Sequence, residues 1–388
     1  MNSIYFEYNQ KSERNSMNME PRVRDFTAQD SNEPVVDLAL HSATDLLVVL
    51  WLLEGCNEAL QNYDEYGLGP DWFDTITAQL SDEATASVQR VGAGDVWISV
   101  MGILADLPDG STVDEFIDHV QAMDSVDLRS RLVELKSSRS ADADLLKAAA
   151  EGDAQALERF LALPMFEGHQ RWHDTVKHLL EISPQETTDL VVNAMRMVQK
   201  DAFAEHEAEF RKILERDIKA HRLMANELSA ERLVELTTNG ISIEAGGYTK
   251  PILLIPTVTG RPWVIFTEAH GQPGQLIMAY PVADEYMDAD PDAPPNWLIK
   301  TYKALGDERR LRILRRLSRG PASLHELAEE LDISKSTLHH HMMLLRTAGL
   351  VKILIGNEKE YALREDVVPE TAAVLEAYIE NSPSRGEQ

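Results

Sequence analysis

Three consecutive histidines, His339, His340 and His341, stand within the stretch SKSTLHHHMMLLRTAGL, residues 334–350. Imidazoles are common metal ligands, but neighbouring residues on a helix point about 100° apart, so three adjacent histidines do not converge on one ion. Histidine ligands on one helix need a spacing of three or four residues. The trio is therefore a poor metal site, and its interpretation depends on the helix that carries it.

The same stretch is predicted to form one helix from about Lys335 to Ala348, with Ser334 as its N-cap and Gly349 at its end. At about 100° per residue, one side of this helix is apolar and faces the core. That side carries Leu338, Met342 and Leu345. His341 borders the apolar side and is expected to be packed or partly buried. The outward side carries Ser336, Thr337, His339 and His340.

Two shorter helices are predicted upstream of this stretch, and a hairpin is predicted after it. Asp307 can cap the first helix, DERRLRILRRLSRG, which ends at Gly320. Ser323 and Glu326 form a capping-box pattern at the start of the second helix, SLHELAEEL. VKILIG and EYALR are predicted to be two strands around a short turn. This order of elements is that of a winged helix-turn-helix, a fold that binds DNA.

The charge of the chain changes sign at this module. The whole sequence has 37 Lys and Arg against 65 Asp and Glu, a net charge of −28. Residues 297–365 contain 13 Lys and Arg against 9 Asp and Glu, a net charge of +4, so the remainder carries −32. Because an acidic surface repels nucleic acid, DNA binding is expected only at this basic module.

The first turn of the third helix is the predicted centre of DNA binding. Its free N–H groups and the positive end of the helix dipole suit a phosphate. Lys335 can reach a guanine, and the hydroxyl groups beside it can hydrogen-bond to phosphates or base edges. Polar residues further along the helix and in the hairpin can contact the DNA backbone. The predicted DNA-binding residues are Ser334, Lys335, Ser336, Thr337, His339, His340, Arg346, Lys352, Asn357 and Lys359.

The segment KALGDERRLRILRRLSRGPASLHELAEELDISKSTLHHHMMLLRTAGLV, with the hairpin after it, resembles the ArsR-type family of bacterial winged-helix transcriptional regulators. The resemblance covers about residues 297–365 and implies a homodimeric, operator-binding protein, usually a repressor that a signal releases. It also implies that the final helix, PETAAVLEAYIE, contributes to the dimer contact. Metal-sensing members carry a Cys-x-Cys pair on the second helix, or Asp and His ligands on the last helix. Since the second helix here lacks cysteine and the last lacks histidine, no metal and no cofactor is predicted.

The whole chain is predicted to be multidomain and mainly α-helical, as in a longer subgroup that this sequence resembles, where a helical region precedes the DNA-binding module. Residues 201–237 lack Pro and Gly and predict one long helix that ends at Asn239–Gly240. Short β-branched runs after Gly240 predict a small β-meander. The predicted order is a mobile tail (1–33), a helical sensor or dimerisation domain (34–239), a small β segment (240–290), the winged helix-turn-helix (297–366), and a C-terminal helix and tail (367–388).

Two histidines outside the basic module are candidate metal ligands. His169 and His173 are four residues apart, which puts both imidazoles on one helix face, but no HExxH motif is present. The sequence also lacks a phosphate-binding loop and a nucleophile elbow, so no enzyme activity is predicted. One alternative stays open. In it, residues 34–290 bind a small molecule or a metal, or act as an enzyme, and DNA binding is subordinate.

The sequence predicts a cytoplasmic location. A single cysteine, Cys56, excludes a disulfide within one chain and suits a reducing compartment. The longest strongly apolar run, LLVVLWLL at residues 46–53, is too short to span a bilayer and predicts a buried helix. The expected partners are double-stranded DNA, a second copy of the chain and an unidentified small-molecule effector, with no membrane.

Overall fold

The computed structural model describes residues 34–54, 66–92, 96–133, 140–243, 250–270, 274–287, 296–355 and 359–364, with positions 371, 372, 375, 376 and 379 of the last helix. The chain is mainly helical with two small sheets and a C-terminal helix-turn-helix, which confirms the predicted fold class. The predicted tail (1–33), Cys56 and most of residues 367–388 lie outside the described residues. Within the described ranges, no helix is long and apolar enough to cross a membrane.

Helices make up most of the described chain before residue 200. The first of them contains the LLVVLWLL run, whose side chains from Leu46 to Leu50 are buried. Thr112 and Ser183 each begin a helix with a full capping box, because their side chains accept the N–H group three residues on. The helices are α1 (Ala43–Leu53), α2 (Pro70–Gln79), α3 (Asp82–Val91), α4 (Val96–Met101), α5 (Val113–Ala122), α6 (Ser125–Val133), α7 (Ser140–Ala150), α8 (Ala154–Leu161), α9 (Gln170–Glu181) and α10 (Pro184–Val198).

The single helix predicted over residues 201–237 ends where predicted, at Thr237 before Asn239–Gly240, but its predicted start and its continuity are wrong. A π-helical turn at Gln199–Phe203 joins α10 to α11 (Ala204–Ala225), so the helical run begins much earlier, at Pro184. It then breaks before α12 (Ala230–Thr237), where the Ser229 side chain accepts a hydrogen bond from the N–H of Arg232. Serine at this position offers the backbone a cap in place of a further helical turn, so Pro and Gly are not needed for the break.

The strands that the sequence predicts as a β-meander do not form one, because they do not all pair antiparallel with their neighbours in the sequence. One sheet has the order β1 (Val36–Leu38), β3 (Ile252–Thr257), β5 (Leu276–Pro281), β4 (Ile265–Glu268). The β1–β3 and β3–β5 pairs are parallel, and only β4 runs antiparallel to its neighbour β5. This correction has a physical reason: β3 is buried at every position, the pattern of a strand covered on both faces in a parallel sheet.

The remaining strand of the predicted β segment belongs to a second sheet. β2 (Ile241–Ile243) pairs in parallel with β6 (Val351–Ile355), which pairs antiparallel with β7 (Lys359–Leu363). The predicted hairpin at the C-terminal end is therefore present, and a strand from far upstream extends it. Residues 241–281 consequently do not form a sheet of their own.

Two apolar clusters lie on opposite faces of the first sheet. Leu253 and Ile255 of β3 belong to the cluster formed mainly by the N-terminal helices. Ile252 and Leu254, which alternate with them, belong to the cluster that contains the core of the C-terminal helices. The sheet thus connects the upstream helices to the C-terminal module, and the module is packed against the rest of the chain.

Candidate nucleic-acid interface

The C-terminal module has the predicted helices in the predicted order, with one further helix in front. α14 (Glu308–Leu317), α15 (Leu324–Leu331) and α16 (Lys335–Thr347) correspond to the three helices read from the sequence. α13 (Asn296–Leu305) precedes them and packs on α16, where the Thr301 hydroxyl donates to the Ala348 carbonyl at 3.0 Å. A bridge from Ala322 to Tyr361 attaches the connection between α14 and α15 to the hairpin.

Three helices of this module, α14, α15 and α16, begin at a side-chain cap. The Asp307 carboxylate accepts from the N–H of Arg310 at 3.0 Å and caps α14. Ser323 and Glu326 form the predicted capping box at the start of α15. Asp332 has a left-handed backbone, with φ 53° and ψ 48°, and makes the tight turn into α16. These local devices set the angle between α15 and α16, the pair of helices in a helix-turn-helix.

Ser334 caps α16, as predicted, by accepting from the N–H of Thr337 at 3.3 Å. We expect Ser334→Ala to cost about 1 kcal/mol of local stability, because the first turn loses its acceptor. Amide hydrogen exchange in the first turn of α16 should then accelerate by roughly fivefold in the full chain. Ser336→Ala, two residues later, is the matched control and should leave exchange nearly unchanged, because the Ser336 side chain does not cap the helix. Equal exchange rates in both variants would contradict the assigned cap.

The buried side of α16 is the side that the sequence predicts. Leu338, Met342 and Leu345 are buried. His341 is also buried, and neither of its ring nitrogens has a hydrogen-bond partner in the described part of the chain. Burial lowers the pKa of His341, since an imidazolium would lose its hydration there. His341 is therefore a neutral packing residue and is not available to DNA.

The first turn of α16 presents a continuous polar surface. Ser334, Lys335, Ser336 and His340 are exposed, and Thr337 and His339 are partly exposed. The Ser334 hydroxyl lies 2.8 Å from the Thr337 hydroxyl and 3.2 Å from the Ser336 hydroxyl. Six of the predicted DNA-binding residues are thus brought together at one helix N-terminus, where free N–H groups and the helix dipole favour an anion.

The other predicted DNA-binding residues lie elsewhere. The Arg346 guanidinium carbon is 5.6 Å from the centre of the Trp263 ring, and burial lowers the pKa of Arg346. Lys352 on β6 forms an ion pair with Glu235 on α12, at 3.6 Å. Asn357 and the Lys359 side chain lie outside the described residues. Arg346 and Lys352 are therefore engaged with the upstream part of the chain, and sequence reasoning missed both contacts.

The arginines of α14 are also partly engaged within the protein. Arg316 forms an ion pair with Glu330 on α15. Arg310 donates to the carbonyl oxygens of Ala304 and Lys303, at 2.7 and 2.9 Å. Arg312 is paired with Glu308 one turn away, although both side chains are largely exposed. Part of the positive charge of this module therefore holds its helices together.

The two candidate metal ligands upstream are not assembled into a site. His169 lies at the N-cap of α9 without a side-chain cap, and His173 contacts Asp174 at 3.2 Å and the edge of Phe166. Among the residues that the structure describes, no group of three or more His, Cys, Asp or Glu side chains could hold a metal ion.

Comparisons with known proteins concern the same module. Residues 307–352 match the family model described as "Bacterial regulatory protein, arsR family". The HTH-type transcriptional regulator Rv2034 of Mycobacterium tuberculosis is 38% identical over 52 residues, which are 13% of this chain and 49% of that protein. The chain thus spans about half the length of this curated relative. Residues 307–352, from the cap of α14 to the start of β6, are an ArsR-type helix-turn-helix domain, as the sequence predicts.

Proposed function

We propose that this chain is a sequence-specific DNA-binding transcriptional regulator that inserts α16 into the major groove. One observation carries the proposal: the ArsR-type domain presents the polar first turn of α16 to solvent. In helix-turn-helix proteins, the N-terminal residues of the second helix of the motif contact base edges. The residues assigned to this role are Lys335, Ser336, His339 and His340.

The first turn of α16 offers two kinds of contact to DNA: contacts to phosphates that position the helix, and contacts to base edges that recognise the sequence. The N–H groups at the start of α16 and the Ser334 hydroxyl suit a phosphate, which fixes the register of the helix on DNA. Lys335 and Ser336 are exposed beside them and can donate to acceptors on the floor of the groove. The strongly acidic remainder of the chain, with a net charge near −32, confines this binding to the basic module.

The test is selection of bound DNA from a random-sequence duplex library with the full chain, followed by binding measurements at several salt concentrations. The proposal expects one enriched motif and a steep loss of affinity with salt, because phosphate contacts release counterions. Recovery of the starting library without enrichment would reject sequence-specific recognition. Absence of any duplex binding at low salt would reject the proposed function altogether.

We further propose that the regulator acts as a homodimer through the exposed apolar side chains of the C-terminal module. Ile299 and Tyr302 are three residues apart on α13 and are 37% and 41% exposed. Ile379 in the last helix is 62% exposed. A palindromic operator requires a dimer that presents two α16 helices on one face.

Tyr302→Glu tests the dimer. A charge buried in an apolar contact is costly, so the dissociation constant of the dimer is expected to rise roughly tenfold or more. Sedimentation velocity over a range of protein concentrations measures this change. Leu236→Glu is the matched control, because Leu236 is comparably exposed, at 39%, but lies on α12, outside the C-terminal module. A monomeric wild-type chain, or an equal effect of both variants, would contradict the proposed dimer contact.

For the upstream region we propose the role of receiving a small-molecule signal in the cytoplasm that releases a repressor from DNA. The supporting observation is a cavity of about 390 Å³ between α11 and the segment after β1, within the range of small-ligand pockets. Leu40, Ile218 and Leu223 contribute aliphatic surface to it. Two of its cations, Arg211 and Arg222, are paired with the lining carboxylates of Glu215 and Asp109, and Lys219 adds a third cation. Thermal-shift screening of the full chain with a library of small polar molecules tests this role, and an absence of stabilisation by all of them would contradict it.

A further inference from the structure

The DNA-facing side of α16 continues beyond its first turn, and its second half is covered. Ser336, His339, Met343 and Arg346 are spaced by three, four and three residues, so they form one stripe along the helix. The first two are among the four proposed DNA-reading residues. The last two face the upstream part of the chain, where Met343 packs against the apolar cluster that includes Trp263.

The covering residue is Trp263, in the loop between β3 and β4. The guanidinium carbon of Arg346 lies 5.6 Å from the centre of the Trp263 ring, a distance that gives a favourable cation–π contact. Trp263 is only 8% exposed, so the indole is shielded between the loop and its neighbours. A cation that would otherwise be available to phosphate is held on an aromatic face.

The loop that carries Trp263 is part of the upstream core. The N–H group of Trp263 donates to the Gly260 carbonyl at 2.8 Å, and the N–H of Gly67 donates to the Arg261 carbonyl at 2.8 Å. At the base of the loop, one carboxylate oxygen of buried Asp45 accepts from the N–H groups of Val258 and Thr259, both at 2.8 Å. Residues 258–264, which we call the Trp263 loop, are therefore anchored in the upstream part of the chain. At the end of the loop, Val264 also packs in the cluster that contains the core of the C-terminal helices.

The Trp263 loop and a bound duplex would be close neighbours on α16. Met343 follows His339 by four residues, which corresponds to about 6 Å along the helix axis. The major groove is about 12 Å wide, and its phosphate walls stand on either side of an inserted helix. A duplex that contacts Ser336 and His339 therefore reaches the part of the stripe that the Trp263 loop occupies.

We propose that the Trp263 loop is an internal competitor of DNA, docked on the reading helix and displaced when the duplex enters. The inference rests on the proposed function and deepens it by naming a regulatory contact. Docking lowers the apparent affinity for DNA, because only chains with an undocked loop are competent to bind. Any change in the upstream core that shifts the loop alters DNA affinity without touching the DNA-reading residues.

Trp263→Ala in the full chain tests this competition. Loss of a shielded cation–π contact and its apolar packing is expected to tighten binding of the selected duplex roughly 3- to 30-fold. Trp263→Phe keeps an aromatic ring over Arg346 and should change affinity less. Met343→Ala removes the contact from the α16 side and should also tighten binding. Unchanged or weaker binding in both alanine variants would overturn the proposal.

Hydrogen exchange supplies a second measurement that does not depend on how the variants fold. In the wild-type chain, saturation with the selected duplex should accelerate exchange in residues 258–264, since displacement exposes the loop. Slower or equal exchange would show that the loop stays in place or joins the DNA interface, and would reject competition. If the wild-type chain and every variant bind no duplex, the proposed function fails. If all of them bind the duplex with equal affinity, only the proposed competition by the Trp263 loop is contradicted.

Discussion

Charge reversal at Lys335 is expected to weaken binding of the selected duplex about 100-fold. Lys335 is exposed in the first turn of α16 and lies beside the three hydroxyl groups of that turn. Glutamate there loses one cation–DNA contact, adds repulsion from the phosphates, and opposes the binding of an anion at the helix N-terminus. Fluorescence anisotropy with the full chain at one fixed salt concentration measures the loss.

The matched control is Lys212→Glu, which makes the same charge change at an exposed position of α11. Charges further than about 8 Å apart are largely screened at physiological salt, so this variant should change affinity less than twofold. The milder Lys335→Ala should also reduce the salt dependence of binding by about one counterion. An equal loss in Lys335→Glu and Lys212→Glu would mean that net charge, and not the first turn of α16, determines binding.

The first turn of α16 was predictable because its determinants are local. Ser334 precedes the helix that it caps, and the buried side of α16 follows from the spacing of Leu338, Met342 and Leu345. The same local logic predicted the capping box at Ser323 and the caps at Asp307. Geometry along one helix also separated buried His341 from exposed His340. Which of these residues contact DNA stays a prediction.

Long-range contacts could not be predicted in this way. Arg346 meets Trp263, and Lys352 meets Glu235, each more than 80 residues away in the sequence. Nothing in the composition around Arg346 distinguishes a phosphate ligand from a cation that stacks on a ring. The parallel pairing of β3 with β5 was missed for a related reason: hydrophobic runs locate strands, but their order depends on what covers each face.

The upstream core shows how a single buried side chain can set such long-range geometry. Asp45 on α1 is 0% exposed, and one of its oxygens, Oδ1, accepts four hydrogen bonds from the strand end and loop after β3. The donors are the Thr257 hydroxyl, the Val258 N–H, the Thr259 N–H and the Thr259 hydroxyl. In the sequence, Asp45 is an isolated acidic residue at the edge of an apolar run, and its role depends entirely on a loop more than 200 residues away.

Asp45→Ala is therefore expected to lower the free energy of unfolding by about 3–4 kcal/mol, the largest stability effect that we predict. Four donors would lose their acceptor in a site without access to water, and each buried unsatisfied group costs about 1–3 kcal/mol before relaxation. Urea denaturation followed by tryptophan fluorescence measures the change. Because the Trp263 loop would lose its anchor, the variant should also bind the selected duplex more tightly under conditions where it remains folded.

Asp45→Asn separates the hydrogen bonds from the charge. The amide oxygen can keep the four donors, whereas the amide nitrogen takes the place of Oδ2, which has no hydrogen-bond partner among the described residues. Burial raises the pKa of Asp45 in spite of those hydrogen bonds. A raised folded pKa means that the unfolded chain releases this proton first, so wild-type stability falls as the pH rises from about 4 towards the folded pKa. The asparagine variant lacks this dependence. The free energy of unfolding of the wild type should therefore fall relative to that of the variant as the pH rises through that window. A constant difference between the two proteins from pH 4 to 7 would show that Asp45 is ionised in the folded protein throughout.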